Sequence, residues 1–177
     1  MTPEQINIRK KILASRTTGL SGPFGPWLAV PSIADPAQTL GKACRYDTSL
    51  TPRESELVIL LTAAYYRSPT EFEIHRNEAL KAGLTEDIIN AFPRGDEFSL
   101  SNVKTRVVPL LGENERELAV ALFAAEVLAT KQVCDSLYQS TLETFGGKHE
   151  VLVEVTSIIG YYAYVAYTLN VFCIPAK

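Results

Sequence analysis

Residues 51–84 read TPRESELVILLTAAYYRSPTEFEIHRNEALKAGL, and the way this stretch folds governs the rest of the chain. It holds two helix-start signatures, Thr51-Pro-Arg-Glu54 and Ser68-Pro-Thr-Glu71, each a hydroxyl residue followed three places later by Glu, with proline just inside. In such a capping box the hydroxyl accepts from the third helical N–H and the Glu carboxylate accepts from the cap's own N–H. Proline at the first position gives up a donor that has no helical partner anyway. Two helices are predicted to begin here. The first reads LVILLTAAYY from Leu57 to Tyr66, apolar on every side, so it has no face to offer water and is expected to be buried all round.

The same punctuation continues outward in both directions. An opening helical stretch precedes Ser21-Gly-Pro-Phe-Gly-Pro-Trp27, whose Gly and Pro content predicts an extended, turn-rich loop. Asp35-Pro36 predicts a cap and first helical position for a helix reaching about Tyr46. Downstream, Thr85 caps a short helix that stops before Pro93, a polar loop follows, and helical patterns resume at about Asn114–Lys131, Asp135–Phe145 and Glu150–Phe172. Strand signals are nearly absent and no solenoid-length repeat occurs, so the fold class is all-α.

With 177 residues, 46% hydrophobic and 21% charged, the chain fits one domain, residues 1–177, in which 1–20 form an N-terminal helical extension. A formal net charge of −3 lacks the basic excess that binding a phosphate backbone requires, and the apolar content is too high for a disordered chain. Cys44, Cys134 and Cys173 are odd in number, far apart and in no C-x-x-C or metal-ligand spacing, which suits a reducing cytoplasm and predicts no zinc or iron–sulfur site. Met1 to Lys11 carries no hydrophobic leader core. Val155 to Ile174 is a run of 20 residues without a formal charge, long enough to span a bilayer. It contains Thr156, Ser157, Gly160, four tyrosines, Thr168 and Asn170, and reads better as a buried or subunit-facing helix than as an anchor.

Candidate chemistry lies between the two helix starts and beyond the second. Glu56 adjoins the fully apolar segment, where a carboxylate needs a partner or titrates unusually; alternatively it is a second-turn Glu turned to solvent and favoured by the helix dipole. On the next helix a step of about 100° per residue puts Phe72, His75, Ala79 and Ala82 on one inward arc. Glu71, four residues before His75, can then reach the imidazole and fix its tautomer or raise its pKa. The plainer alternative makes Glu71 only the capping partner of Ser68, and His75 a satisfied core histidine.

The stretch Glu56 to Leu84, with Glu56, Glu71, His75 and the Ala82-Gly83-Leu84 ending, resembles the carboxymuconolactone decarboxylase and alkylhydroperoxidase D superfamily. Gly22-Pro-Phe-Gly-Pro-Trp27, Leu40 to Tyr46, Leu152-Val-Glu-Val, Ile159-Gly-Tyr-Tyr162 and Thr168-Leu-Asn-Val-Phe172 extend the resemblance to about residues 20–175. It implies an alkylhydroperoxidase D-like helical bundle. In the peroxidase branch a Glu is followed twelve residues later by the first Cys of a C-x-x-C pair, with a His four after the second. Here those places hold Glu56, Ser68, Glu71 and His75, so both thiols are gone and no nucleophile remains there to attack a peroxide. The decarboxylase branch, which also lacks the pair and has an acidic residue four before the His, is the better analogy.

Losing CO2 from such a lactone acid leaves a dienolate-like charge, so a site must orient the carboxylate, stabilise the anion and deliver a proton to carbon; no cofactor is needed. The expected catalytic set is His75 as acid–base, Glu71 orienting it, and Glu56 as proton relay or polar partner. Arg45 would hold a substrate carboxylate, or else form a solvent-facing or intersubunit salt bridge. Trp27, Tyr65, Tyr66 and Phe72 would wall a flat ligand, or else simply be core. The expected partners are a small-molecule substrate and further copies of the chain, since the resemblance implies a homotrimer or homohexamer; neither nucleic acid nor membrane is expected. The competing expectation is a non-catalytic ligand-binding or structural oligomer.

Overall fold

The computed structural model describes residues 1–16 and 19–176. In chain order the helices are α1 (Pro3–Ser15), α2 (Phe24–Leu28), α3 (Pro31–Tyr46), α4 (Pro52–Tyr65), α5 (Pro69–Lys81), α6 (Glu86–Ala91), α7 (Leu100–Arg106), α8 (Glu115–Thr130), α9 (Asp135–Thr144) and α10 (His149–Val171). No strand occurs among the described residues, and the protein is an all-α bundle.

The bundle is organised around α4. Every residue from Glu54 to Ala64 is buried, and α5, α8 and α10 all pack against it. A helix without a polar face is stable only when covered on all sides, and three neighbours supply that cover. Truncating one of its fully enclosed residues, such as Leu60, would cost on the order of 2–5 kcal/mol. The N-termini of α4 and α8 are tied by a reciprocal pair of forked ion pairs. Arg53 donates to both Glu117 oxygens at 2.8 and 2.9 Å, and Arg116 to both Glu54 oxygens at 2.7 and 2.9 Å. Glu54 also completes its predicted capping box, accepting from the Thr51 N–H at 2.8 Å.

Three local expectations are revised. Helix α3 begins at Pro31 after Val30, with Pro36 inside it rather than at its start. Pro36 forgoes one helical hydrogen bond, while the Asp35 carboxylate, freed from capping, takes the Lys11 ammonium at 2.7 Å and the Gln38 amide at 3.1 Å. The Gly/Pro segment at 21–27 is not wholly extended, because it contains the single turn α2. That turn is anchored by Trp27, whose indole N–H donates to Thr168 Oγ1 at 3.0 Å and whose ring stacks on Tyr164 at 4.8 Å. The expected loop after Pro93 contains α7, capped by Ser99, and two short 3₁₀ turns.

Helix α10 is long and apolar enough to cross a membrane, and 61% of its most apolar window is buried inside the bundle. Val153, Tyr164, Tyr167 and Val171 face outward. The N-terminal helix is integral to the packing, since Ile8 and Ile12 are enclosed and α1 packs on α3.

Where α3 crosses α10 the approach is close. A Cβ on Gly41 would lie 2.0 Å from the Tyr161 hydroxyl and 2.3 Å from its ring carbon, and Tyr161 is only 7% exposed, so the ring has nowhere to swing. Gly to Ala inside a helix ordinarily stabilises by about 0.5–1 kcal/mol. At Gly41 the collision should win: Gly41→Ala is expected to lower the thermal midpoint, and a rise in differential scanning calorimetry would show the crossing to be looser than described.

Candidate active site

Helix α4 presents Glu56 and α5 presents Glu71 and His75 toward each other beneath the C-terminal part of α3, which contributes Arg45. His75 Nδ1 lies 2.7 Å from Glu56 Oε2, and Nε2 lies 3.2 Å from Glu71 Oε1. Arg45 approaches the same ring, with Nη1 3.2 Å from His75 Nε2, while Nη2 lies 3.2 Å from Glu78 Oε2 and 3.9 Å from Glu56 Oε1. Tyr162 stands edge-on to the imidazole, with ring centres 4.9 Å apart. Of the expected residues, Glu56, Glu71, His75 and Arg45 thus converge on one buried cluster.

This arrangement explains why only one of the two predicted capping boxes forms. Ser68 is the cap of α5 by position, yet its side chain makes no cap hydrogen bond and its Oγ is buried without a partner. Glu71, the residue that would complete the box, is turned inward to His75. A helix cap contributes about 1 kcal/mol, whereas an unpaired buried imidazolium costs several, so the inward rotamer is favoured. Glu56 likewise points away from solvent, its side chain only 8% exposed, and Arg45 is buried rather than solvent-facing.

The electrostatics follow from the geometry. Burial opposes the charged imidazolium, but the facing Glu56 and Glu71 carboxylates outweigh it and hold the His75 pKa at about 9. Burial also works against the Arg45 charge, and the neighbouring Glu56 and Glu78 carboxylates help to hold its pKa above the usual value. Burial pushes the Tyr162 hydroxyl well above the ordinary phenol range, so it stays a neutral donor. Protonated, His75 donates from Nε2 to Glu71; once it has released that proton, Nε2 can accept from Arg45 Nη1. Each protonation state therefore has a partner in place, as proton transfer requires.

Three cavities meet around the cluster. A broad groove of about 1080 Å³ is walled in part by Arg45, Glu56 and Glu78. Behind it a small chamber of about 40 Å³ is lined by His75, Glu71, Arg45, Tyr161 and Tyr162, with Arg16 reaching in from the end of α1. A third cavity, about 460 Å³, shares Ser21, Gly22 and Ile74 with the chamber. Among the described residues no set of three His, Cys, Asp or Glu side chains is placed to hold a metal ion.

The aromatic residues expected around a ligand lie elsewhere. Trp27 is spent on anchoring α2 to α10. Phe72 packs on Phe92 beneath the Arg94 guanidinium, which lies 3.9 Å from its ring centre. Tyr65 and Tyr66 belong to a separate cluster with Phe98 and Tyr167. The residues around the cluster that were not anticipated are Tyr162, edge-on to the imidazole, Tyr161 and Arg16, which share its chamber, and Glu78, which pairs with Arg45. Glu78 had a signal in its i+3 spacing from His75, and Tyr161-Tyr162 one as adjacent tyrosines in an uncharged helix; Arg16 had none.

Because the His75 pKa is raised from 6.5 to about 9, its contribution to stability is full below pH 6.5 and disappears as pH rises through 9. The effect is on the order of 3 kcal/mol. The thermal midpoint is expected to fall between pH 6.5 and 9 in the wild type and to fall less in His75→Gln; equal slopes in the two proteins would contradict the raised pKa.

Residues 31–102, from the first residue of α3 to the first turn of α7, match the model of the carboxymuconolactone decarboxylase family. Among curated proteins none matches the chain. All four members of the buried cluster, Arg45, Glu56, Glu71 and His75, fall inside the matched segment. Through that segment, and on an all-α bundle of the alkylhydroperoxidase D-like kind, the chain is similar to the carboxymuconolactone decarboxylase family.

Proposed function

We propose that the protein is a cofactor-independent enzyme that transfers a proton to or from carbon in a small unsaturated carboxylic acid or lactone, with decarboxylation of a 4-carboxymuconolactone-like compound the reaction best suited to the site. The observation that carries this reading is the His75 imidazolium, held between Glu56 and Glu71 and 3.2 Å from Arg45 at the wall of a cavity. In the reaction the bond between carbon and the carboxylate breaks, CO2 leaves, and the electron pair passes into the conjugated carbonyl. His75 delivers the proton to carbon, Arg45 balances the developing anion, and Glu71 orients the ring. Glu56, which touches both His75 and the broad groove, returns a proton from solvent. Double-bond or lactone isomerisation would use the same groups without loss of CO2.

A second reading, a ligand-binding or structural oligomer, draws on one observation: His75 is only 2% exposed and the chamber beside it is too small for a whole lactone. Assembly belongs to either reading, and we expect a homotrimer or homohexamer in the cytoplasm; the outward Tyr164, Tyr167 and Val171 on α10 supply apolar surface for it. The readings separate by mutation. If the first is correct, His75→Gln and Glu56→Gln should each lower CO2 release or isomerisation of unsaturated lactone acids by about 10²–10⁴-fold while the protein remains folded and assembled. Turnover that survives both changes would sink the acid–base assignment. Absence of turnover in the wild type, with both variants changing only thermal stability, would favour the second reading.

A further inference from the structure

The small chamber beside His75 is walled by three cationic groups, and they come from distant parts of the chain. Arg45 and His75 lie in the family-matched segment, whereas Arg16 lies before it, at the end of α1. The chamber also meets Tyr161 and Tyr162, from α10, after the matched segment. Against these positive charges the lining holds one carboxylate, Glu71, already engaged by His75. Arg16 has no carboxylate partner among the described residues. Its Nη2 donates to the Gln38 carbonyl at 2.6 Å and its Nη1 to the Ser15 carbonyl and hydroxyl at 3.3 and 3.2 Å. Its guanidinium also stands beside the Tyr161 hydroxyl, which burial keeps protonated.

Size selects what can occupy this space. About 40 Å³ is room for roughly three water-sized groups, enough for a carboxylate and too little for a ring. Gly41 keeps the space open on the α3 side by admitting the Tyr161 hydroxyl where a Cβ would collide with it. A partly desolvated cavity lined by guanidinium, imidazolium and phenol donors favours a planar anion strongly over water.

We propose that the chamber is a carboxylate subsite in which Arg16, from outside the family segment, and Arg45 grip the carboxylate of the substrate, with the Tyr161 and Tyr162 hydroxyls as further donors. The proposal rests on the proton-transfer reading above and deepens it. The remainder of the acid rests in the 460 Å³ cavity that shares Ser21, Gly22 and Ile74 with the chamber. Arg16 is then the specificity residue: it selects substrates whose carboxylate is small, planar and terminal.

The test uses formate as the probe, because it is a carboxylate with nothing attached. Isothermal calorimetry, with line broadening of ¹³C-formate as a second readout, should show saturable binding to the full-length wild type. Arg16→Gln should weaken it about 10- to 100-fold, the loss of one hydrogen bond to a charged group, and Arg16→Lys should recover part of the loss. Tyr161→Phe, which removes one hydroxyl and leaves the ring packing intact, should weaken it several-fold and serves as the deciding variant if Arg16→Gln fails to fold. Chloride at matched ionic strength controls for screening. No saturable formate binding, or binding unchanged in a folded Arg16→Gln, or in Tyr161→Phe should that variant not fold, overturns the subsite. The outcome is separable from the catalytic reading. Loss of turnover in His75→Gln without formate binding leaves the reaction standing and removes the subsite, whereas formate binding without turnover of any unsaturated acid does the reverse.

Discussion

The constraint on which the structure depends is that α4 has no side that water can wet. Eleven consecutive residues from Glu54 to Ala64 are buried, which obliges α5, α8 and α10 to surround one helix. The same enclosure traps a carboxylate. Glu56 sits in this segment because its position on the helix allows nothing else, and a buried carboxylate is tolerable only with a cation or donors against it. His75 supplies the donor at 2.7 Å, and Arg45 brings a second cation to the same place. Core packing and candidate chemistry are therefore one arrangement.

Charge is handled in two different ways within the bundle. At the N-termini of α4 and α8, Arg53 with Glu117 and Arg116 with Glu54 form closed forks in which each carboxylate meets its own guanidinium, and these serve to register two helices. Around His75 the pairing is shared and asymmetric. One imidazole contacts two carboxylates, and one guanidinium is divided between Glu78 and the imidazole. A cluster in which a proton can move without stranding a charge is suited to acid–base work, whereas a closed fork is not. The unused cap at Ser68 marks the same priority, since Glu71 leaves a helix terminus to serve the imidazole.

Much of this was legible in the sequence. The all-α class, the start of α4, and the buried character of LVILLTAAYY follow from local punctuation and periodicity, which act over three or four residues. The proximity of Glu71 to His75 is likewise a property of one helix. The misplacement of the start of α3 arose because Asp35-Pro36 carries a valid cap signal that Pro31 pre-empts one turn earlier, and the Gly/Pro segment hid the single turn α2 because Trp27 draws its order from α10, 141 residues away. The aromatic residues expected around a ligand lie outside the His75 cluster for a related reason: apolar side chains at helical spacing do not reveal which of several buried faces they meet.

The sequence by itself determined that the chain is a bundle of helices, one of them with the stretch Leu57–Tyr66 apolar on every side, that it carries no C-x-x-C pair, and that a Glu and a His one turn apart share a face. Each of these depends on neighbours in the chain or on residue identity alone. Only the tertiary structure decided that Glu56 reaches the other nitrogen of that His, that Arg45 stands beside both, that the aromatic wall is Tyr161 and Tyr162 rather than Trp27, Phe72 or Tyr66, and that Arg16 enters the same chamber. These contacts join residues separated by 11 to 145 positions in the chain, and their geometry is set by how α1, α3, α4, α5 and α10 are packed, which no local pattern encodes.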